Sequence, residues 1–286
     1  MSKVLSDLLA LMKLEQIEQG IFRGQSQDLG FKALFGGQVL GQALAAAQNT
    51  VSADRIVHSL HSYFLLPGDA TKPVVYDVEN LRDGRSFSAR RVQAIQNGKT
   101  IFFMTASFQG EESGLEHQDV MPNVAGPDDI PSYSDFIHQH QHLLGDDIRD
   151  KFLAEKPIDS RPIEQYNWVK PNALPPKSHM WIKTNGDLPD DLRIHRSMLA
   201  YTSDFQFLPT ALFPHGKTHW NPNMTIATID HAMWFHRPFR FDDWLLYAVD
   251  SPSASSARGL VRGQIFNRSG ELVASTIQEG VIRIRD

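Results

Sequence analysis

The feature that most constrains the fold of this chain is a repetition of its own pattern. Tyr63–Pro67 reads aromatic, Phe, two variable residues and Pro, and Trp234–Pro238 repeats that order in the second half of the chain. The turn dipeptides Asn97-Gly98 and Ser269-Gly270 are a second matched pair, separated by almost the same length of chain. Because two landmarks keep nearly constant register, the sequence predicts an internal duplication of one structural unit.

The predicted elements of each half have the same order, a helix followed by strands. Gly36–Gln48 is apolar or small nearly all round, as expected of a helix wrapped by a sheet, and Pro189–Asp191 opens a helix in the second half. Asn97-Gly98 is typical of a type I′ hairpin turn. The predicted strands are Ile17–Ser26, Ile56–Leu66, Val74–Arg82, Phe87–Gln96, Thr100–Phe108, Arg161–Asn167, Trp181–Lys183, Thr225–Phe235, Trp244–Pro252, Arg258–Phe266 and Glu271–Arg283.

The segment between the halves is broken by prolines and has few apolar runs. Helices are predicted in it around Tyr133–Leu144 and Asp146–Ala154. At the N-terminus, Met1–Leu14 has a helical apolar rhythm with Asp7 inside it, which predicts an amphipathic packing helix rather than a signal peptide. We therefore expect an N-terminal unit at residues 1–112, a connector at 113–158 and a C-terminal unit at 159–286.

Composition excludes several classes of function. The chain has 286 residues, a net charge of −5 and no cysteine. The acidic balance argues against nucleic acid as a partner, and the lack of cysteine excludes disulfides, thiolate catalysis and cysteine-ligated metals. No apolar run approaches the roughly 18 residues that span a bilayer. Without a peroxisomal tail at the C-terminus, the expected location is the cytoplasm, with no membrane partner.

Several chemical motifs fail when they are tested against the sequence. There is no G-x-S-x-G nucleophile elbow, and Gly98-Lys99-Thr100 lacks the earlier glycine of a phosphate-binding loop. His58 and His61 lie three apart in a predicted strand, so they should leave opposite faces and not bind a metal together. Asp230 and His231 are strand neighbours, so they should not form a hydrogen-bonded dyad, and a structural polar pair is the preferred interpretation.

Three polar residues of the second half remain open to two interpretations. Asp204 lies in an apolar neighbourhood, where a carboxylate needs polar partners or water, but a solvent-exposed helix end would explain it equally well. Thr228 is an ordinary residue in a strand, and Gln278 could simply face water. No spacing rule links the three, so the residues themselves indicate only a polar cluster in the second half.

Over almost its whole length the sequence resembles the acyl-CoA thioesterase II family. Long runs carry the resemblance, and they are much more specific than any short motif. The runs are Phe22–Gln25, Phe35–Gln38, His58–Leu65, Asp83–Val92, Ile229–Pro238 and Ser253–Gly259.

The resemblance implies an α+β double hotdog fold, in which two tandem units each wrap an antiparallel sheet around a long helix. It implies hydrolysis of acyl-CoA to a free fatty acid and CoA, with the catalytic roles falling on Asp204, Thr228 and Gln278 and with neither cofactor nor metal. The first unit offers no equivalent trio, so one site per chain is expected, near the junction of the units. Homo-oligomers, as dimer or tetramer, are expected from the fold.

Two alternatives remain at this stage. A hotdog enoyl-CoA hydratase or dehydratase would use a His acting with Asp204, and a non-catalytic acyl-ligand binding module would have no need of the trio. The CoA phosphates require basic side chains, for which a solvated strand edge is an equally good explanation. The candidates are Arg85, Arg90, Arg91, Arg237, Arg258 and Arg262.

Overall fold

The computed structural model describes residues 2–30, 33–132, 135, 138, 153–164, 171–221 and 223–285. Its three α-helices over these ranges are α1 (Lys3–Met12), α2 (Gly36–Gln48) and α3 (Leu192–Ser203), with short 3₁₀ helices at Pro127–Asp129 and Leu208–His215. None of the described helices is long and apolar enough to cross a membrane. The predicted helices around Tyr133–Leu144 and Asp146–Ala154 fall almost wholly outside the described residues.

Thirteen strands among the described residues form one antiparallel sheet. They are β1 (Glu15–Glu18), β2 (Ile21–Gly24), β3 (Ile56–Phe64), β4 (Val74–Asp83), β5 (Phe87–Gln96), β6 (Lys99–Gln109), β7 (Ile158–Pro162), β8 (Lys177–Thr184), β9 (Met224–Thr228), β10 (Asp230–Phe235), β11 (Leu245–Ser255), β12 (Arg258–Asn267) and β13 (Leu272–Ile284). Across the sheet the order is β1-β2-β4-β5-β6-β3-β10-β13-β12-β11-β8-β7, with β9 also paired to β13.

This order shows the predicted duplication directly. The first half contributes β1-β2-β4-β5-β6-β3, and the second half contributes its equivalents in reverse, so the sheet reads the same from either edge. The halves meet where β3 pairs antiparallel with β10, and there His61 lies opposite Ala232. Those two residues are equivalent positions of the repeat, in the same register as Pro67 and Pro238. A pseudo-twofold axis therefore passes through this pair of strands, and the α+β double hotdog fold is confirmed.

The two long helices lie together against the sheet. Almost every residue of α2 is buried, and α2 contacts β3, β4, β5, β6 and α3. A Cβ at Gly41 would lie 3.2 Å from both the Ser197 carbonyl oxygen and Tyr201 Cβ, so a small residue is needed at this crossing. One continuous core thus runs through both halves.

Most predicted elements are confirmed within a few residues, and three are corrected. The Asn97-Gly98 turn has φ values of 50° and 71°, the two positive values that a type I′ turn requires. The strand expected over Ile17–Ser26 is instead a hairpin, β1 and β2, that turns at Gly20. The strand expected at Arg161–Asn167 begins earlier, at Ile158. The strand expected over Thr225–Phe235 is interrupted at Ile229.

Candidate active site

The start of α2 and the end of α3 approach each other unusually closely. A Cβ at Gly37 would lie 2.2 Å from the Tyr201 carbonyl oxygen, so only glycine permits this packing. Phe35 packs against Phe205 in a tilted arrangement with ring centroids 4.1 Å apart and meets Tyr201 edge-on, and these contacts hold the two helix ends together. The residue that caps the C-terminus of α3 is Asp204.

Asp204 therefore faces the first turn of a helix from the other unit. A Cβ at Gly36 would lie 2.7 Å from Asp204 Oδ2, so the carboxylate lies directly against the backbone at the start of α2. The N-terminus of a helix presents unpaired N–H groups and a partial positive charge, which favours an anion at this position. The helix-end position of Asp204 expected from the sequence is confirmed, but the residue is half-buried rather than open to solvent.

A β-bulge between β9 and β10 shapes the other side of the site. Thr228 pairs with Gly280 and Ala232 with Ile277, so four steps along β9–β10 correspond to three along β13. The extra residue leaves an N–H of β13 without its ladder partner, and Asp230 accepts that bond from Glu279 N–H at 2.7 Å. A bulge breaks the alternation of faces, which allows Thr228 and His231 to bond to the same Gln278 side chain.

The structure brings Asp204, Thr228 and Gln278 together. The Thr228 hydroxyl donates to Asp204 Oδ1 at 3.3 Å, and Gln278 Nε2 donates to Thr228 Oγ1 at 2.8 Å. Gln278 is only 1% exposed, whereas Asp204 and Thr228 are half-buried. A carboxylate and a hydroxyl thus face the accessible side of the site, supported from behind by an amide.

His231 completes the cluster, and the sequence analysis missed this. It is completely buried, its Nδ1 lies 2.7 Å from Gln278 Oε1, and its Nε2 lies 3.0 Å from Ser203 Oγ. Asp230 does point elsewhere, as strand alternation predicted, so the two neighbours form no dyad. What the sequence did not indicate is that the bulge turns His231 toward the side chain of Gln278. The available signal was the spacing of Thr228 and His231, two polar residues three positions apart in one predicted strand.

Burial opposes charge on both titratable groups of the cluster. It raises the pKa of the Asp204 carboxyl, and the nearby His231, the bonds from Thr228 and Gln278 and the Gly37 backbone act in the opposite direction. Burial likewise lowers the pKa of the His231 imidazole, against the influence of Asp204, Gln278 and Asp230. The His231 ring is consequently held neutral near pH 7.

The corresponding positions of the first half carry different chemistry. Asn49 caps α2 where Asp204 caps α3, and Val57 lies opposite Phe108 where Thr228 lies opposite Gly280. Two residues before Phe108 is Ala106, the counterpart of Gln278. An amide and two apolar side chains thus occupy the places of the carboxylate, hydroxyl and amide.

Most of the arginines considered for the CoA phosphates are already engaged. Arg90 is buried and bonds to Thr50, Asp83 and nearby carbonyls, so it is unavailable and that expectation is wrong. Four others form ion pairs with acidic side chains: Arg91 with Glu79, Arg237 with Glu116, Arg258 with Glu279 and Arg262 with Asp250. Arg85 is exposed on the β4–β5 turn.

The two histidines rejected as a metal pair do not converge. His58 bonds through Nε2 to Ser107 Oγ at 2.8 Å, whereas His61 is exposed and meets the Trp234 ring edge-on. Over the parts of the chain that the structure describes, no three His, Asp or Glu side chains gather as metal ligands would.

Fold and site together define a double hotdog protein with a carboxylate–hydroxyl–amide cluster at the junction of its units. Comparison with known proteins places that class more narrowly. Residues 25–109 match the family model described as acyl-CoA thioesterase N-terminal domain, and residues 147–281 match the model described as acyl-CoA thioesterase. The acyl-CoA thioesterase 2 of Haemophilus influenzae is 48% identical over 286 residues, which cover 100% of both chains.

Solved structures agree. The crystal structure of an acyl-CoA thioesterase II from Mycobacterium marinum is 40% identical and superposes with a TM-score of 0.78 over 96% of this chain and 98% of that one. A protein from Alicyclobacillus acidocaldarius described as having a hot dog fold gives a TM-score of 0.76 over 100% of both chains at 20% identity, which supports the fold alone. The chain belongs to the acyl-CoA thioesterase family.

Proposed function

We propose that this protein hydrolyses acyl-CoA thioesters with a water molecule held by Asp204, Thr228 and Gln278. The observation that carries the proposal is the hydrogen-bonded set itself, in which the half-buried Asp204 carboxylate is joined through Thr228 to Gln278. A thioester needs no covalent enzyme intermediate if a water is held in line with its carbonyl carbon. The names of the relatives point to the same substrate class.

Each member of the trio has a role in this reaction. Ionised Asp204 accepts a proton from the water while the oxygen attacks the carbonyl carbon, and Thr228 and Gln278 orient that water. The tetrahedral intermediate then collapses, the C–S bond breaks, and the proton held by Asp204 passes to the departing CoA thiolate. General-base catalysis contributes about 10²–10⁴-fold to such a rate.

The first turn of α2 supplies the charge stabilisation that the intermediate needs. The backbone N–H of Gly37 bonds to the Asp204 carboxylate, and Gly36 lies directly against the same carboxylate. An oxyanion next to these amides gains roughly 10²–10³-fold in rate from one such donor. The active site would then combine a helix start from the first unit with a trio from the second, one site per chain.

The two alternative functions are less well supported. A hydratase requires a His that acts with Asp204, and His231 does lie in the site. Both of its ring nitrogens, however, face protein side chains, Gln278 and Ser203, rather than a substrate. A passive acyl-binding module gives no reason for a carboxylate held partly buried at a cost in free energy.

The test is the release of free thiol from saturated acyl-CoAs of several chain lengths. Saturated substrates can be hydrolysed but cannot be hydrated, and a binding module releases no thiol at all. We expect Asp204→Asn to lower kcat by about 10²-fold or more, because the amide cannot accept the proton. Asp7→Asn, an exposed position on α1, is the control and should retain the wild-type rate. Wild-type protein that releases no thiol from any substrate would refute the proposed function, and an Asp204→Asn rate within a few-fold would refute the catalytic assignment.

The remaining proposals concern organisation. The unit boundaries proposed at residues 1–112, 113–158 and 159–286 are supported by the equivalence of the two half-sheets.

We propose a homo-oligomeric state, because Tyr63 remains 48% exposed and stacks on Phe103 on the open face of the central strands. Light scattering after size exclusion would report a monomer if this is wrong. The cytoplasmic location expected from the sequence also stays a proposal, and recovery of the protein in another cell fraction would contradict it.

A further inference from the structure

We propose that His231 and Ser203 are positioning residues that orient the Gln278 amide toward the catalytic water. This inference rests on the proposed function. It begins from a continuous chain of hydrogen bonds that runs from the end of α3 through the core of the site and back to Asp204. Its successive links join Ser203, His231, Gln278, Thr228 and Asp204 over 3.0, 2.7, 2.8 and 3.3 Å.

The donors and acceptors in this series of hydrogen bonds are determined at its Asp204 end. An ionised carboxylate can only accept, so the Thr228 hydroxyl must spend its one proton on Asp204. Thr228 Oγ1 must then receive its second bond from a donor, which is the NH₂ group of Gln278. The carbonyl oxygen of the Gln278 amide consequently faces His231.

A carbonyl oxygen accepts only, so His231 must carry its proton on Nδ1 and donate it to Gln278. In a neutral ring Nε2 is then an acceptor, and the group facing it is the Ser203 hydroxyl. Ser203 has a second acceptor within reach, the Ala200 carbonyl at 2.9 Å, but only one proton to donate. Because Gln278 fixes the Nδ1 proton, the single Ser203 proton must go to Nε2 of the neutral ring rather than to the Ala200 carbonyl.

The other tautomer of His231 would reverse these hydrogen bonds, and its consequences show why the position of the proton matters. If the ring carried its proton on Nε2, Nδ1 would be an acceptor and the Gln278 amide would turn over to donate to it. The amide oxygen would then face Thr228 and take the proton that Asp204 receives, and the NH₂ group would point away from the water. Because His231 is completely buried, it can influence the substrate only through Gln278.

Protein groups surround the His231 ring on every side for which a contact is described. From the end of α3 it meets Ser203 and the charge of Asp204, from β13 it meets Gln278, and the Phe207 ring lies edge-on at 5.8 Å. Its neighbour Asp230 is committed to the Glu279 amide. In the first unit the equivalent position of the repeat is Leu60, where no amide needs orienting.

A double-mutant cycle on the full-length enzyme tests the proposal, with kcat and KM measured by thiol release. The variants are His231→Leu, Gln278→Ala and the two combined. We expect His231→Leu to lower kcat on the order of 10-fold or more, with little change in KM, because the water loses its orientation and the substrate keeps its binding contacts. In the Gln278→Ala background the same substitution should cost less than about 3-fold, because residues that act through one another are not additive.

Losses that multiply in the double variant would overturn the proposal, since they would show that His231 acts independently of Gln278. A wild-type kcat in His231→Leu would do the same. If Gln278→Ala itself keeps full activity, it is the assignment of Gln278 within the proposed function that fails. His231→Asn, whose amide nitrogen can stand near the place of Nδ1, should recover part of the lost kcat, and equal loss in the Asn and Leu variants would count against an orienting donor.

Ser203→Ala tests the far end of the chain with a smaller change. Without the hydroxyl Nε2 loses its donor, which weakens the preference for the Nδ1-protonated tautomer, so kcat should fall by about 3-fold to 10-fold. Thr202→Val is the matched control, because it removes a buried hydroxyl from the adjacent residue of α3 whose bond is to the Met198 carbonyl at 2.8 Å. Full activity is expected in this control, and equal rates in the two variants would contradict the role given to Ser203.

Discussion

Asp204 combines two conditions that are difficult to satisfy together, because a general base must be ionised and yet partly shielded from water. Burial raises the pKa of its carboxyl, and hydrogen bonds from Thr228 and Gln278 hold the rise in check. A raised pKa makes the carboxylate a stronger base, and it also means that the group takes up its proton at a higher pH than an ordinary aspartate, whose pKa is about 3.9. Activity should therefore fall on the acid side as the pH drops through the raised pKa.

The pH dependence can be shifted by removing one of these hydrogen bonds. The bond from Thr228 lowers the pKa of Asp204, so Thr228→Val should move the acid limb of kcat/KM to higher pH as well as reducing the rate. The measurement is the midpoint of that limb in wild type and variant over the same buffers. A midpoint that stays in place, or moves to lower pH, would contradict the role given to the Thr228 hydroxyl.

At the scale of single residues, the family resemblance identified three candidate catalytic residues, and the sequence did not reveal a fourth member of their cluster. Asp204, Thr228 and Gln278 could be named only through the family resemblance, because they come from three elements whose spacing along the chain is set by the fold. The contact between His231 and Gln278 was not predicted, because regular strand alternation was assumed. That assumption fails for a local physical reason, the extra residue near Ile229, which changes which side chains share a face.

At the scale of elements, the bulge between β9 and β10 is the device that assembles the site. It leaves the Glu279 N–H without a ladder partner, and the Asp230 carboxylate provides the replacement acceptor. Bulges cluster near active sites because they redirect a side chain without ending the sheet. The strand itself was predictable from its composition, but a one-residue irregularity depends on what the neighbouring strands pair with, which the sequence does not display.

Replacing the acceptor at the bulge gives a prediction for this element. Asp230→Ala leaves a backbone donor unsatisfied, which costs about 1–3 kcal/mol when the group is buried. Since Asp230 is half-buried, we expect the lower part of that range. The loosened bulge should also displace Thr228 and His231, so that kcat falls. Urea unfolding and thiol release measure the two effects.

Asp230→Asn is the matched control, because its amide keeps an oxygen in the place of the carboxylate. Both stability and kcat should remain near wild type in this variant. Equal damage in the Ala and Asn variants would mean that the negative charge matters rather than the acceptor, and it would remove Asp230 from the account of the bulge.

At the scale of the whole molecule, the sequence was most informative where the signal is repeated. The constant offset between matched landmarks reappears on the pseudo-twofold axis, where the paired residues His61 and Ala232 are equivalent positions of the two copies. Duplication was therefore readable from pattern alone, because both copies must bury the same face. The absence of a second trio was expected from the family resemblance, and the structure adds which residues stand in its place, Asn49, Val57 and Ala106.

A single active site then depends on both units, since Asp204 from one faces the start of α2 from the other. Gly37 controls this approach, because a Cβ there would lie 2.2 Å from the Tyr201 carbonyl, which as backbone cannot move alone. Gly37→Ala must separate the helices, and overpacking of this kind costs roughly 1–3 kcal/mol or more. We expect a lower free energy of unfolding together with a loss of kcat, because the separation carries Asp204 away from the amides of α2.

Gly114→Ala is the control for the same chemical change, since nothing lies within 4 Å of a Cβ built at that position. It should leave both the urea midpoint and kcat unchanged. Reduced stability with full activity in Gly37→Ala would show that the site tolerates movement between the units. Such a result would confine the chemistry to the second unit and exclude the start of α2 from stabilising the oxyanion. The variant therefore decides whether both units take part in catalysis or whether the first unit has only a structural role.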